Sequence, residues 1–276
     1  MHSVDVGEVR LEVREEGAGP PVVLLHGFPE SSYSWRHVMT ALAGAGFRAI
    51  APDQRGYVRS DKPRGIAAYR IERLVADVIG LLDALGLPRA TIVGHDWGAV
   101  VAWSVAALHP DRVERLVVMN GPHPQLMRRL LITDPAQLWR SKYILFFQLP
   151  WLPEYVATRA DFAARAFLGL ASRGEAFDDE TLAHHRDGHR EPGCATGMLG
   201  WYRAGFWYGM PKLPKVTCPV LCIWGDDDRA LGVRFTENLE RYATNVRVEH
   251  LAGVGHWVQQ EAPGEVSALL IDALRR

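Results

Sequence analysis

Residues 94–98 read GHDWG, and the segment around them decides the fold of this chain. An apolar, β-type run (90–93) leads into it, and an apolar, helix-like run (99–108) follows it. Small residues on both sides of one reactive side chain allow a strained strand-to-helix turn that holds that side chain clear of the backbone. A carboxylate in that position suits displacement at a saturated carbon, which leaves an ester for water to hydrolyse. The segment therefore predicts a nucleophile at Asp96, with an ordinary Gly-Asp turn as the alternative.

The chain alternates between two kinds of apolar segment. Runs without polar alternation, typical of strands covered on both faces of a parallel sheet, lie at residues 21–25, 47–51, 90–93, 116–119, 220–224 and 246–251. Segments with helical periodicity lie at residues 71–85, 233–242 and 266–274. Residues 4–13 alternate apolar and polar side chains, which predicts an antiparallel hairpin. Together these patterns predict a doubly wound α/β sheet.

The alternation stops between residues 122 and 214. This region has few β-type runs and many aromatic side chains, and prolines bracket it at positions 122, 124, 211 and 214. A helical insertion between two strands of one sheet would lie over the carboxyl ends of the strands, where ligands of α/β proteins bind. We therefore predict a core of residues 1–121 and 215–276 with a helical cap of residues 122–214. A separate linked domain is the weaker alternative, because the last two strands must still complete the first sheet.

Two further side chains have the sequence positions of a catalytic base and its acidic partner. A nucleophile needs a base, and the base needs a group that orients it. His256 follows the run at 246–251 in a glycine-rich loop before the last helix, which predicts the base. Three aspartates follow the preceding run, and we choose Asp228 as the acid. Asp226 and Asp227 remain the alternatives, as loop-capping or solvated side chains.

Residues 26–29 read HGFP and follow the first long strand. The glycine and the proline fix a turn that can aim the backbone N–H of Phe28 at the nucleophile. The residue after the nucleophile, Trp97, would supply a second backbone N–H. These two donors predict an oxyanion hole for the charge that develops on the Asp96 ester carbonyl during hydrolysis.

Together the motifs resemble those of the epoxide hydrolases, a group of α/β-hydrolases that is similar to the haloalkane dehalogenases. The matching segments are HGFPESSYSWR (26–36), APDQRGYVRSDKP (51–63), GHDWGA (94–99), NGPHP (120–124), WGDDDRALG (224–232) and GHWVQQEAP (255–263). The resemblance implies an α/β-hydrolase fold with a mostly parallel, doubly wound sheet of about eight strands and an inserted helical cap. It also implies that Asp96 is the nucleophile, His256 the base and Asp228 the acid. Val58 stands where the family usually has glycine, which leaves the conformation of that loop open.

The leaving group separates the enzymes within this group. An epoxide leaves as an alkoxide and needs a proton donor, whereas a halide does not. The epoxide hydrolases use two cap tyrosines for this purpose. Residues 142–148, KYILFFQ, resemble the family's YxxxFQ stretch, and residues 200–203, GWYR, resemble its WYR stretch. The resemblance thus implies Tyr143 and Tyr202 as the donors, in preference to other cap tyrosines such as Tyr155.

The dehalogenases are the alternative enzymes. Haloalkane dehalogenases have an asparagine that helps to hold the halide at the position of Phe28, and fluoroacetate dehalogenases have an arginine at the position of Trp97. Phe28 thus disfavours a haloalkane dehalogenase, and Trp97 disfavours a fluoroacetate dehalogenase. Trp97 does not separate epoxide hydrolases from haloalkane dehalogenases, because both groups have it. A non-catalytic, ligand-binding hydrolase fold is disfavoured because no expected catalytic position is lost. We therefore predict a cofactor-independent enzyme that converts a small apolar epoxide and water to a vicinal diol.

Composition excludes several classes of function. The formal net charge of −1 suggests neither nucleic acid nor an anionic membrane as a partner. Residues 1–16 are charged and alternating and contain no apolar signal core, and no apolar stretch reaches ~18 residues, the length of a membrane span. Three cysteines, an odd number, argue against a disulfide framework. We therefore expect a cytoplasmic protein and leave its oligomeric state open. A solvated cap helix, and no bound metal, is expected at His184, His185, Asp187 and His189.

Overall fold

The computed structural model describes residues 1–159 and 162–276. Within them, one sheet contains eight strands, which are β1 (His2–Asp5), β2 (Arg10–Glu16), β3 (Pro21–Leu25), β4 (Arg48–Pro52), β5 (Ala90–His95), β6 (Val113–Met119), β7 (Val220–Gly225) and β8 (Val246–Leu251). Their spatial order is β1-β2-β4-β3-β5-β6-β7-β8. The pairs β1–β2 and β2–β4 are antiparallel, and all other neighbours are parallel. The predicted hairpin and the mostly parallel sheet are therefore confirmed.

The described residues contain twelve α-helices, which are α1 (Arg36–Gly44), α2 (Ile71–Ala84), α3 (Trp97–Leu108), α4 (Pro124–Thr133), α5 (Pro135–Arg140), α6 (Tyr143–Phe146), α7 (Leu152–Ala157), α8 (Phe162–Leu170), α9 (Asp179–His189), α10 (Cys194–Tyr208), α11 (Val258–Glu261) and α12 (Pro263–Arg275). Helices α2 and α3 pack together on one face of the sheet, and α1 and α12 on the other. Alternate residues of β3 contact the two layers, since Val23 belongs to the first apolar cluster and Val22 to the second. The sheet is thus doubly wound, as predicted. Among the described residues, no helix is long and apolar enough to cross a lipid bilayer.

Burial along the strands follows their position in the sheet. Every residue of β5 and of β7 is buried. In the edge strand β8, by contrast, only Leu251 is buried. The expectation that residues 246–251 are covered on both faces is therefore wrong, because an edge strand is left partly open to solvent.

Helices α4 to α10 lie between β6 and β7, where the described residues include no strand. Helices α4 and α5 each begin with a proline, whose fixed φ suits the first helical position. Helix α10 packs on the core, where a Cβ on Gly197 would collide with the carbonyl group of Gly56. This helical layer occupies the part of the sequence where the cap is predicted.

Residues 233–242 do not form the α-helix that their periodicity predicts. They form two short 3₁₀ helices, Val233–Thr236 and Leu239–Arg241, with Asn238 between them at a φ of 57°. A residue in the left-handed conformation cannot continue a right-handed helix. The prediction of one continuous α-helix here is therefore wrong.

At Val58 the loop has a backbone conformation that favours glycine. Val58 has a φ of 42°, where a β-branched residue is strained. Its N–H donates to Sγ of Cys194 at 3.3 Å. Its side chain faces Gly188 of α9, where an added Cβ would lie 3.3 Å from Cγ2 of Val58. Val58 thus adopts a backbone conformation that favours glycine, and its side chain packs against the helical layer.

Helix α9 is not solvated on the face that carries two of its histidines. His184 and Asp187 are exposed, but His185 and His189 are buried. The ring of His185 stacks on Phe167 with centroids 4.4 Å apart. Nε2–H of His189 donates to the carbonyl oxygen of Pro29 at 2.6 Å. The expectation of a solvated helix is therefore wrong for this face, where burial holds the pKa of His185 well below its usual value.

Candidate active site

Asp96 lies at the sharp turn between β5 and α3. Its backbone has a φ of 49° and a ψ of −119°, which is strained for any residue with a side chain. Glycines allow the turn, because a Cβ on Gly94 would collide with the carbonyl group of Gly98. A Cβ on Gly98 would in turn collide with the carbonyl group of Leu25 in the neighbouring strand. The turn therefore presents the Asp96 carboxyl group at the carboxyl end of the sheet.

Two backbone amides hold the Asp96 carboxylate. The N–H of Phe28 donates to Oδ1 at 2.9 Å, and the N–H of Trp97 also hydrogen-bonds the carboxylate. Burial raises the pKa of Asp96 above its ordinary value, while the charges of His256 and His95 and both amides oppose that rise. The two donors that the sequence predicts thus converge on the predicted nucleophile.

His256 lies between two carboxylates. Its Nδ1 is 2.7 Å from Oδ2 of Asp228, and its Nε2 is 3.8 Å from Oδ2 of Asp96. Burial alone would lower the pKa of His256, but the charge and hydrogen bond of Asp228, together with the charge of Asp96, outweigh it and raise the pKa to about 9. The imidazole is therefore protonated at neutral pH.

The structure places Asp228, and neither of its two neighbours, against His256. Asp228 is buried, and its Oδ1 accepts the N–H groups of Ala230 and Leu231 at 2.7 and 2.9 Å. Burial raises the pKa of Asp228, but His256 and the hydrogen-bond donors lower it by more, so that the net shift is downward. Asp226 instead pairs with a surface histidine, and Asp227 is exposed.

Sequence reasoning assigned no role to Asn120, the first residue of the NGPHP segment, although it connects two strand ends in this site. Its Nδ2 donates to Oδ2 of Asp228 at 2.7 Å, and its Oδ1 accepts the N–H of Gly225 at 2.8 Å. Asn120 is fully buried and has a φ of 35°. The available signal was its position directly after β6, one strand away from the end of β7.

A buried ion pair beneath the site was also missed. Nδ1 of His95 lies 2.7 Å from Oε2 of Glu30, and Nε2 of His95 lies 2.8 Å from the carbonyl oxygen of His256. A carbonyl oxygen only accepts, so Nε2 carries a proton. Burial would raise the pKa of Glu30, but the charge and hydrogen bond of His95 lower it to about 2. Through these hydrogen bonds, Glu30 and His95 tie the nucleophile turn to the loop of the predicted base.

Tyr143 of α6 and Tyr202 of α10 face the predicted nucleophile. Their ring centroids are 5.8 Å apart, and both side chains line the two cavities that contain Asp96. Burial, reinforced by the charge of Asp96, raises the pKa of both hydroxyl groups, so they stay protonated. Tyr155 and Tyr208 are by contrast about half exposed. The structure thus brings together the two tyrosines implied by the family motifs.

The side chain of Phe28 forms an apolar wall of the site. Its ring contacts Tyr202 and Phe147 edge-on, with centroids 5.0 and 5.3 Å apart. The ring of Trp97 also meets Tyr202 edge-on, at 5.1 Å. Phe28 therefore offers the site a backbone donor and no polar side-chain group.

The chain matches the α/β hydrolase fold family over residues 20–263. The AB hydrolase superfamily protein YfhM of Bacillus subtilis is 38% identical over 99% of this chain and 96% of its own length. Epoxide hydrolase A of Mycobacterium tuberculosis is 38% identical over 98% of this chain and 96% of its own length.

Solved structures give the same similarity in three dimensions. The Bacillus megaterium epoxide hydrolase in complex with an inhibitor has a TM-score of 0.92, 30% sequence identity and full coverage of both chains. Epoxide Hydrolase A from Mycobacterium thermoresistibile has a TM-score of 0.84 and 37% identity, over 99% of this chain and 97% of that one.

Proposed function

The chain belongs to the epoxide hydrolases of the α/β-hydrolase fold family, and on that premise we propose how it opens an epoxide to a vicinal diol. Oδ1 of Asp96 accepts the Phe28 amide, so Oδ2 is the oxygen left to attack a ring carbon. The C–O bond of the ring breaks, and Oδ2 forms an ester with the carbon. Tyr143 and Tyr202 hydrogen-bond the ring oxygen and supply its proton.

Water then hydrolyses the ester. Formation of the ester removes the charge of Asp96, which is one of the causes that hold His256 protonated. His256 can then pass its proton to the tyrosine that protonated the ring oxygen. The neutral imidazole, whose other nitrogen Asp228 holds at 2.7 Å, takes a proton from water as the hydroxide attacks the ester carbonyl. When the acyl C–O bond breaks, the leaving diol oxygen takes up a proton, and Asp96 is again a carboxylate beside protonated His256. The negative charge on the ester carbonyl develops at Oδ1, where the amides of Phe28 and Trp97 stabilise it.

One observation carries this proposal, namely the line of Asp228, His256 and Asp96 that ends in a cavity shared with the two tyrosines. The apolar lining favours an apolar epoxide end. Phe28 offers no side-chain donor to a halide, which supports epoxide opening over dehalogenation.

We also propose residues 122–214 as the cap over core segments 1–121 and 215–276. The free, buried cysteines fit the reducing cytoplasm that we propose as its location.

Trapping the ester tests the proposal. A His256→Gln variant is expected to become alkylated on Asp96 and to hydrolyse that ester slowly, so that intact-protein and peptide mass spectrometry detect the added mass of the epoxide. Asp96→Ala is expected to take up no mass and to have no turnover. His250→Gln is the matched control, because His250 pairs with Asp226 at the surface and should turn over normally. A folded His256→Gln protein that gains no mass would count against a covalent route.

A further inference from the structure

A groove of about 700 Å³ lies beside the proposed active site, between α4 and α10. Trp97, Ile144 and Tyr202 line its inner end. The same three residues border the small cavity of about 80 Å³ that contains Asp96. The groove therefore adjoins the cavity that contains the reacting carboxylate.

Two helices form the walls of this groove. The lining residues of α4 follow helical spacing, and they include Pro124, Met127, Arg128 and Leu131. On α10 the wall includes Gly205, where an added Cβ would lie 3.1 Å from the Trp97 ring. Glycine at this position thus lets the Trp97 ring pack closely against α10 in the wall of the groove.

Three cations line the groove, and among the residues that the structure describes no carboxylate lines it. The cations are Arg128, Arg129 and Lys212, all of them exposed. In the described part of the chain, none of the three side chains forms an ion pair or a side-chain hydrogen bond, so their charges face the groove and solvent unneutralised. An apolar channel with a cationic mouth complements a ligand with an apolar chain and an anionic end.

On the basis of the proposed function, we infer that this groove selects amphipathic epoxides. The apolar chain of the substrate lies along α4, and a carboxylate at its far end is held by Arg128, Arg129 and Lys212. The eight helical steps from Pro124 to Ile132 span ~12 Å. An extended alkyl chain of roughly eight to ten carbon atoms matches that length.

The second cavity that reaches Asp96 is a poorer match for such a chain. It has a volume of about 200 Å³ and contains His256. Arg140 and Arg229 also line it. Its size leaves space for the hydrolytic water beside His256 and for a short substituent of the epoxide. We therefore assign the long chain to the larger groove.

Two matched substrates test this inference, 10,11-epoxyundecanoate and its methyl ester. They share the epoxide and the chain, and they differ in the terminal charge. The wild-type protein is expected to prefer the carboxylate at least about fivefold in kcat/KM, mainly through KM, as two or three exposed charge contacts would give. Raising the salt concentration should reduce this preference, because exposed charges are screened. A triple variant, Arg128→Gln/Arg129→Gln/Lys212→Gln, removes the three cations. In this variant the ratio of kcat/KM for the carboxylate to kcat/KM for the ester should fall to about one.

The control variant, Arg59→Gln/Arg64→Gln/Lys215→Gln, removes three exposed cations elsewhere on the surface. It should keep the wild-type preference for the carboxylate. Thermal melting checks that all variants are folded. Equal turnover of the two substrates by the wild type would overturn the inference and leave the proposed function intact. Loss of the preference in Arg140→Gln/Arg229→Gln, with the triple variant unaffected, would also overturn it.

Binding of unreactive probes separates this inference from the proposed function. Calorimetry should show tighter binding of decanoate than of decan-1-ol to the wild type, and the triple variant should lose that difference. Decanoate binding by a protein that opens neither epoxide would support the groove and count against the proposed function. Equal binding of the acid and the alcohol would overturn the groove assignment whatever the turnover.

Discussion

Replacing Asp96 by asparagine is expected to lower the pKa of His256. Burial lowers the pKa of His256, but the charge and hydrogen bond of Asp228, followed by the charge of Asp96, raise it to about 9. Nε2 of His256 lies 3.8 Å from Oδ2 of Asp96. At that separation and an effective dielectric constant of ~20, the attraction is worth ~4 kcal/mol, which limits the drop in pKa to about 3.

Water reaches the Asp96 side chain, which is 13% exposed, so the effect should be smaller than this limit. We expect a drop of about 1–3, to a pKa of roughly 6–8. Because the ester also lacks the Asp96 charge, the hydrolytic step should have the same lowered pKa. Its rate should therefore fall as the pH drops through roughly 6–8, since the base must be neutral.

NMR of protein with ¹⁵N-labelled histidine measures this pKa directly from the ring-nitrogen shifts. Asp228→Asn should lower the pKa of His256 by more than Asp96→Asn does, because the 2.7 Å hydrogen bond is lost as well. Asp226→Asn is the control, since Asp226 pairs with the surface residue His250. An unchanged pKa of His256 in Asp96→Asn would refute the coupling and, with it, the proposed change of His256 from acid form to base during turnover.

Three further outcomes follow from the geometry. Tyr143→Phe and Tyr202→Phe should each slow ring opening in single-turnover kinetics, and the double variant should nearly stop it, since the loss of one comparable oxyanion donor costs about 2.7–4 kcal/mol. The wild type should release little halide from haloalkanes in a chloride or bromide assay, whereas Phe28→Asn should shift activity toward them by adding a side-chain donor. Glu30→Gln should lower the free energy of unfolding by about 3–5 kcal/mol in a denaturant titration, because the buried ring of His95 loses its partner.

Each of these outcomes has a control or a contrary result. Tyr155→Phe should leave ring opening unchanged, because Tyr155 lies at the surface. Wild-type turnover by the double tyrosine variant would show that another group protonates the oxygen. Halide release at the rate of diol formation would favour a dehalogenase. The pKa of Glu30 is lowered from 4.5 to about 2, so its contribution to stability is present above pH 4.5 and is lost as the pH falls toward 2. A Glu30→Gln variant with wild-type stability between pH 5 and 7 would argue against the ion pair.

Features encoded by adjacent residues could be predicted from the sequence. The glycines at 94 and 98 specify the turn at Asp96, because no side chain fits between the strand and the helix there. Apolar periodicity identified the parallel strands and helices, because it depends on residues a few positions apart. It failed at residues 233–242, where a single left-handed residue interrupts the helix. The cap boundaries and the catalytic roles stay predictions.

Contacts between distant segments were decided only by the tertiary structure. The sequence proposed Asp228 among three adjacent aspartates, but only the loop after β7 shows which carboxylate lies against His256. The link from His95 to the carbonyl group of His256 joins residues 161 positions apart. Asn120 reaches Asp228 because β6 and β7 are neighbours in the sheet. Local sequence sets backbone conformation, whereas the order of strands in the sheet sets which loop ends meet, and that order depends on the packing of the whole chain.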